Sequence, residues 1–184
     1  NPGANVGYKN YTHFVLKENE NHTYVPVDNT TTEQGGDATT KEGREANYGY
    51  GTGIATTNAR GGTIHTVYGG SNKKGNIRTT AMSAYESSDD SCPLCIGETY
   101  GAGKEAPMDG NIDLTLDCVK DMPIIYGGAK DADVNAYITL NITNGTFEKV
   151  FGGNNTSGAI TGSITVNVEE KGCQPIFIKE LYGG

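Results

Sequence analysis

Three short stretches of the chain alternate apolar and polar positions without a break: Ile112-Asp113-Leu114-Thr115-Leu116, Ile138-Thr139-Leu140-Asn141-Ile142 and Ile164-Thr165-Val166-Asn167-Val168. A period of two is that of a β-strand, whose successive side chains point to opposite faces. Each stretch predicts a strand with one aliphatic face and one face of Asp, Thr and Asn. The leading Ile recurs at intervals of 26 and 26 residues.

A second element lies between these strands. Gly62-Thr63-Ile64-His65-Thr66-Val67-Tyr68-Gly69-Gly70-Ser71-Asn72 and Gly145-Thr146-Phe147-Glu148-Lys149-Val150-Phe151-Gly152-Gly153-Asn154-Asn155 share the frame G-T-[IF]-x-x-V-[YF]-G-G-x-N. Weaker copies run over Ile96–Gly103, Met122–Gly128 and Ile178–Gly184. Their aromatic anchors, Tyr68, Tyr100, Tyr126, Phe151 and Tyr182, are spaced 32, 26, 25 and 31 residues apart. Self-similarity at such a period marks a solenoid or a propeller. The repeat is too short for βαβ units, which need ~30 residues or more, and for a propeller blade of ~40–45. It suits two or three short strands and tight turns, with equivalent strands stacked in parallel about 4.8 Å apart. Parallel crossovers are overwhelmingly right-handed. The expected fold is therefore all-β, a right-handed parallel β-helix of about five rungs of ~26 residues. The aromatic-Gly-Gly step is read as a corner, with glycine supplying a positive φ.

The first part of the chain is different. Residues 1–60 hold only seven of the 33 Leu, Ile, Val and Phe residues. Thr12–Lys17 and His22–Val27, flanking Glu18-Asn19-Glu20-Asn21, predict a β-hairpin with a polar turn. The span from Asp28 to Glu45 reads as a linker or long surface loop. The expected division is a hairpin plus linker over 1–45, a cap or assembly element, and a repeat region over 46–184.

Composition narrows the function classes. With 27 Gly, 22 Thr, 13 Ile and 11 Tyr, the vocabulary is that of strands and turns. The formal charge of −8 without a basic cluster argues against a nucleic-acid partner. No apolar run approaches the ~20 residues of a membrane span. The sequence starts without Met and carries no signal or lipidation motif, so any targeting peptide is expected to have been removed or to lie outside this stretch. Seven Asn-x-Ser/Thr sequons, at Asn10, Asn21, Asn29, Asn141, Asn144, Asn154 and Asn155, fit a Thr- and Asn-rich surface or a glycosylated one. The expected location is extracellular or at the cell surface.

The repeat frame resembles the Gly-rich repeats of large, adhesin-like bacterial surface proteins, whose repeats are read as β-helices. The resemblance covers residues ~61–184 and implies a stalk or adhesive segment. Leu181-Tyr182-Gly183-Gly184 falls in mid-repeat, so the chain is expected either to be an excerpt of a longer surface protein or to associate end to end with another chain, the hairpin being a candidate cap.

Four cysteines are present. Cys92-Pro93-Leu94-Cys95 lacks the βαβ context of a redox pair, and the four do not converge as a zinc site requires. Cys92 and Cys118 each lie eight residues before an aromatic anchor, Tyr100 and Tyr126. The register predicts that they stack and form a disulfide, with Cys95 the competing partner of Cys118 and the pairing of Cys173 open.

No side chains pair as nucleophile and base. Asp113 and Asp117 share an outward face and Asp109 precedes them, but stacking sets Thr139 and Thr143, then Thr165 and Glu169, over those positions. Asp89-Asp90 and Asp131-x-Asp133 are loop acids that suit Ca²⁺, the one candidate cofactor. His65 is expected to be exposed. The outward rows Thr139, Asn141 and Thr143, and Thr165 and Asn167, form a flat face suited to sugar hydroxyls, to which Tyr8, Tyr11, Tyr24, Tyr48, Tyr50 and Tyr85 could add stacking. The expected function is a non-enzymatic structural or adhesive repeat module: a stalk, an adhesin segment or a fibre subunit. The alternatives are a carbohydrate-active β-helix enzyme and a glycan-binding module.

Overall fold

The computed structural model describes residues 14–18, 24–28, 54–73, 77, 79–86, 93–172 and 175–184. Among them there is no helix. Strands β1 (Phe14–Glu18) and β2 (Tyr24–Asp28) pair antiparallel, from Phe14 opposite Asp28 to Glu18 opposite Tyr24. This is the predicted hairpin pairing, one or two positions later in sequence than the apolar pattern placed it. Of the expected linker over 28–45, Asp28 is the last residue of β2 and the rest lies outside the described residues.

Ten further strands alternate between two parallel five-stranded sheets. The first holds β3 (Ile54–Ala59), β5 (Thr79–Tyr85), β7 (Asn111–Asp117), β9 (Ile138–Ile142) and β11 (Ile164–Val168) in spatial order. The second holds β4 (Gly62–Tyr68), β6 (Leu94–Tyr100), β8 (Ile124–Tyr126), β10 (Gly145–Phe151) and β12 (Ile176–Tyr182). Every strand thus pairs with the strand two places on in the chain. Ile112 lies opposite Ile138 and Ile138 opposite Ile164, as the spacing predicts. In the second sheet Tyr68, Tyr100, Tyr126, Phe151 and Tyr182 are partners in turn.

Alternation dictates what the first sheet buries. Three inward columns run across it: Ala55, Thr80, Ile112, Ile138 and Ile164; Thr57, Met82, Leu114, Leu140 and Val166; Ala59, Ala84, Leu116, Ile142 and Val168. Most of their central members are fully buried, and those of the second and third columns meet Leu94, Ile96, Ile125, Phe147 and Val150 of the second sheet in one apolar cluster. A second cluster joins Ile112 and Ile138 to Ala102, Met108, Ala129 and Val134 of the connecting segments. These segments are themselves in parallel register, Met108 with Val134 and Val134 with Ile160. At about 25 cal/mol per Å², burial of this kind is the dominant favourable term.

The second sheet departs from strict alternation. In β10, Phe147 and Val150 are buried while Glu148 and Lys149 between them are both exposed. The Glu148 and Lys149 amides both donate to Pro123 O, at 3.0 and 2.9 Å. Two residues thus face one, as in a β-bulge, and the strand changes phase there. The two free positions of the frame are where that extra residue sits.

The glycine reading needs correction. Positive φ occurs at Gly62, Gly145, Gly158 and Gly172, not in the aromatic-Gly-Gly step. At Gly69, Gly101, Gly127 and Gly152 the constraint is close approach: a Cβ would meet the carbonyl oxygen of Gly101, Gly127, Gly152 and Gly183 respectively, closer than Cβ atoms come to any neighbour. The Gly69, Gly101, Gly127 and Gly152 amides each donate to the carbonyl of the next aromatic anchor, at 2.8–3.0 Å. The ladder therefore runs on past the strand ends.

Candidate functional site

The aromatic anchors form one continuous stack. Ring centroids from Tyr68 through Tyr100, Tyr126 and Phe151 to Tyr182 are 4.9, 4.9, 4.9 and 4.7 Å apart, with planes within 13° of parallel. Each is the last residue of its strand, so the register that aligns the strands aligns the rings. Tyr100 is buried; its hydroxyl donates to Glu98 Oε2 at 3.1 Å and accepts from Asn155 Nδ2 at 2.8 Å. Burial, reinforced by Glu98 and opposed by the Asn155 hydrogen bond, holds its phenol well above the ordinary value. Tyr126 is raised too, by burial and by Glu98. At Tyr182 the hydroxyl donates to Glu180 Oε2 at 2.8 Å, and that hydrogen bond is the main cause of its upward shift.

The outward face of β7, β9 and β11 carries the predicted ligand residues. Asn167 Nδ2 donates to Asn141 Oδ1 at 2.8 Å, and Asn141 Nδ2 reaches Asp113 Oδ1 at 3.4 Å. Thr143 Oγ1 donates to Asp117 Oδ1 at 2.7 Å, which also accepts from buried Asn144 at 3.2 Å. Thr139 and Thr165 face each other across β9 and β11, the former half-buried and the latter exposed. The structure thus brings together Asn141, Thr143 and Asn167, while Thr139 and Thr165 continue the same face. A cavity of about 420 Å³ is lined by Asn141, Thr143 and Asn167 together with Ile142, Val166, Val168, Glu169 and Lys171. These side chains point to both faces of the sheet, which places the cavity at its β11 edge. Glu169 and Lys171 form an ion pair at 2.7 Å on its rim.

The acidic residues are tied into contacts between repeats. Asp113 and Asp117 are four strand positions apart, about 13 Å. Asp109 Oδ1 accepts from Asn135 Nδ2 at 3.0 Å, and Asp133 Oδ1 from the Ala159 amide at 2.8 Å. Asp131 accepts from the Ser157 hydroxyl. Among the described residues no three His, Cys, Asp or Glu side chains converge as metal ligands. Asp89 and Asp90 lie outside the described residues. His65 is exposed, with Nδ1 2.9 Å from Thr66 Oγ1.

Of the sequons, Asn144 is fully buried and donates to Asp117 and to the Lys171 carbonyl. Asn154 is spent on the backbone: Oδ1 accepts from the Ala129 amide at 2.8 Å, and Nδ2 donates to Ala132 O and Gly158 O at 3.0 and 3.1 Å. The sequon frame concealed these structural roles, though the Asn shared by the two full copies of the repeat frame, Asn72 and Asn155, is the signal that marks Asn155 and its bond to Tyr100.

Cys92 and Cys173 lie outside the described residues, so the predicted Cys92–Cys118 bridge is described on one side only. Cys118 follows β7 with a φ of 53°, and Cys95 is a free thiol. Asp121, in register with Cys95, pushes that thiol up, chiefly through a hydrogen bond.

No protein-family model matches the chain, and no curated protein and no solved structure matches it either.

Proposed function

We propose that the chain is a non-enzymatic, extracellular structural or adhesive repeat module, a stalk, an adhesin segment or a fibre subunit, built as a right-handed parallel β-helix of about five rungs of ~26 residues. The observation that carries this reading is the unbroken register of both sheets, in which each aromatic anchor pairs with the next one along the chain. A second support is where the polar side chains go. Asp109, Asp113, Asp117, Asn141 and Asn154 hydrogen-bond from one repeat to the next, a use that stiffens a stack rather than poises groups for chemistry. The resemblance to adhesin-like bacterial surface repeats supports the extracellular role. Handedness follows from the general preference of parallel crossovers.

The test has three arms. Negative-stain microscopy of the native chain is expected to give rods; compact round particles would overturn the reading. Incubation with a broad polysaccharide panel is expected to release neither reducing ends nor unsaturated products, and their release would revive a carbohydrate-active enzyme. The module calls for no cofactor, so EDTA is expected to leave the melting temperature unchanged; a fall would favour Ca²⁺ at Asp131 and Asp133.

The cavity along the β11 edge favours a second reading, a glycan-contact face. Asn141, Thr143 and Asn167 supply amide and hydroxyl groups beside the apolar Val166 and Val168, a mixture suited to a sugar ring. Loss of glycan-array binding in Asn167→Ala, with unchanged melting, is the expected signature.

A further inference from the structure

Asn144-Gly145 is the one Asn-Gly pair in the chain. Such a pair is chemically labile, because glycine has no Cβ to hinder attack by its own amide nitrogen on the asparagine side chain. Both residues are demanded by the fold. Gly145 starts β10 with a φ of 135°, and a Cβ there would stand 2.6 Å from the Val119 carbonyl oxygen. Asn144 is fully buried. Its Nδ2 donates to Asp117 Oδ1 at 3.2 Å, one repeat back, and to the Lys171 carbonyl, one repeat on.

We propose that Asn144-Gly145 is a self-modification site gated by the stacked repeats. Held closed, it is inert; once open, it converts to aspartate or isoaspartate and the repeats do not close over it again. The step needs only water. The Gly145 amide gives its proton to hydroxide, and its nitrogen attacks Asn144 Cγ. The N–Cγ bond forms, the Cγ–Nδ2 bond breaks, and ammonia leaves with a proton taken from solvent. Water then opens the five-membered imide at one carbonyl or the other. Nothing is oxidised or reduced.

The folded chain blocks each part of this step. Both hydrogens of the side-chain amide are engaged, so Cγ cannot turn without giving up two bonds. The backbone is clamped on both sides: the Thr143 amide donates to Leu116 O and the Lys171 amide to Thr143 O, both at 3.0 Å. Gly145 itself stands in parallel register with Val119 and with Ile176. Full burial also withholds the water that the second half of the step consumes.

Neither product fits the closed site. An aspartate at position 144 would set a carboxylate oxygen against Asp117 Oδ1 and the Lys171 carbonyl, two acceptors with no donor between them. Asp117 Oδ1 already accepts from Thr143 Oγ1 at 2.7 Å, which keeps it in place. Isoaspartate adds one carbon to the main chain immediately before β10. That strand is paired on both sides, with β8 and β12, so the addition conflicts with two registers at once. The lifetime of the folded chain is then set by how often this repeat opens.

Peptide mapping of the 184-residue chain in mildly alkaline buffer, native beside guanidinium-unfolded, tests it. In the unfolded chain Asn144 is expected to convert ahead of every other asparagine, with isoaspartate among the products. In the native chain conversion is expected to be at least about tenfold slower, and to rise with the open fraction as denaturant is added. Asn144→Asp, which makes one product directly, is expected to melt well below wild type or to fail to fold. A native chain that converts as fast as the unfolded one overturns the proposal, as does another asparagine converting first. So does an Asn144→Asp chain, or a separated isoaspartate form, that melts like wild type.

Discussion

The carbonyl oxygen of Gly152 occupies the space that a Cβ on Gly127 would need, and the Ile138 Cγ2 atom stands 2.9 Å away on another side. The first obstacle is backbone, which cannot rotate aside. Gly127→Ala is therefore expected to destabilise the fold by about 3 kcal/mol or more, at the upper end of overpacking costs. Gly172 provides the contrast, with a φ of 94° and nothing within 4 Å of its Cβ position. There alanine meets only the penalty of the left-handed region, about 1–2 kcal/mol. Urea denaturation of the two variants beside wild type measures the difference, and equal midpoints would contradict the close-approach account.

Asn154 replaces a stretch of backbone pairing with one side chain, bonding Ala129, Ala132 and Gly158 at once. Asn154→Asp keeps the acceptor but replaces the NH2 group, and with it both donated hydrogen bonds, by one oxygen that faces two carbonyl oxygens. The expected loss is about 2–3 kcal/mol, the penalty of partly buried polar groups left unpaired. Hydrogen exchange at the Ala129 amide reports the same contact locally and should remain slow in the Asp variant while global stability falls.

Tyr100 links stability to alkaline pH. Its phenol is held above the ordinary value by burial and by Glu98. The unfolded chain loses this proton near pH 10 while the folded chain keeps it, so the folded state binds more protons above that point. The stabilisation is fully present below pH 10 and is lost as pH rises beyond it, by at most about 1.4 kcal/mol per pH unit for one proton. Tyr100→Phe is expected to flatten the fall in urea midpoint above pH 10. Tyrosinate absorbance should show one fewer late-titrating group.

How much of this was legible in advance depends on whether the signal was periodic. Ile112, Ile138 and Ile164 stand in register because alternation within each strand and a fixed interval between strands are both written in residue types. Tyr68 and Tyr100 pair across 32 residues for the same reason, the longer interval being taken up outside the strands. The polar face of Asn141, Thr143 and Asn167 followed from the same alternation, but its internal hydrogen bonds did not, since they depend on rotamers. The glycine roles were misread because a sequence does not distinguish a residue needed for positive φ from one needed for close approach. The phase change at Glu148 and Lys149 was present as two unconstrained positions in the frame and is explained only by the shared Pro123 carbonyl.

The expected cysteine pairing extrapolates the register of β6 and β8, where Tyr100 meets Tyr126 and, three places before β6 joins β8, Cys95 meets Asp121. The same interval carried on to Cys118 reaches Cys92. Peptide mapping without reductant is expected to recover Cys92 linked to Cys118, with Cys95 alkylated as the free thiol. A bridge closing a loop of about 25 residues contributes about 3 kcal/mol in the chain-entropy model. Reduction should lower the urea midpoint to match. Alkylation of both Cys92 and Cys118 would show that the register breaks between them.

Two buried threonines on the inward faces give opposite expectations. Thr80 Oγ1 donates to the Gly101 carbonyl at 2.8 Å, so its hydroxyl is satisfied inside the core. Thr99 occupies the column of Val67, Ile125, Val150 and Leu181, and its buried hydroxyl has no hydrogen-bond partner among the described residues. Valine is nearly isosteric with threonine and removes the polar atom. Thr99→Val is expected to stabilise the fold by about 1 kcal/mol, since an unpaired buried hydroxyl costs roughly 1–3. Thr80→Val is expected to destabilise by about 1 kcal/mol, because it breaks a made bond and strands the Gly101 carbonyl. Thermal melts of the two single variants and the double variant decide the matter. The sites touch different partners, so the double variant should lie near wild type; a Thr99→Val that destabilises would mean that its hydroxyl has found a partner after all.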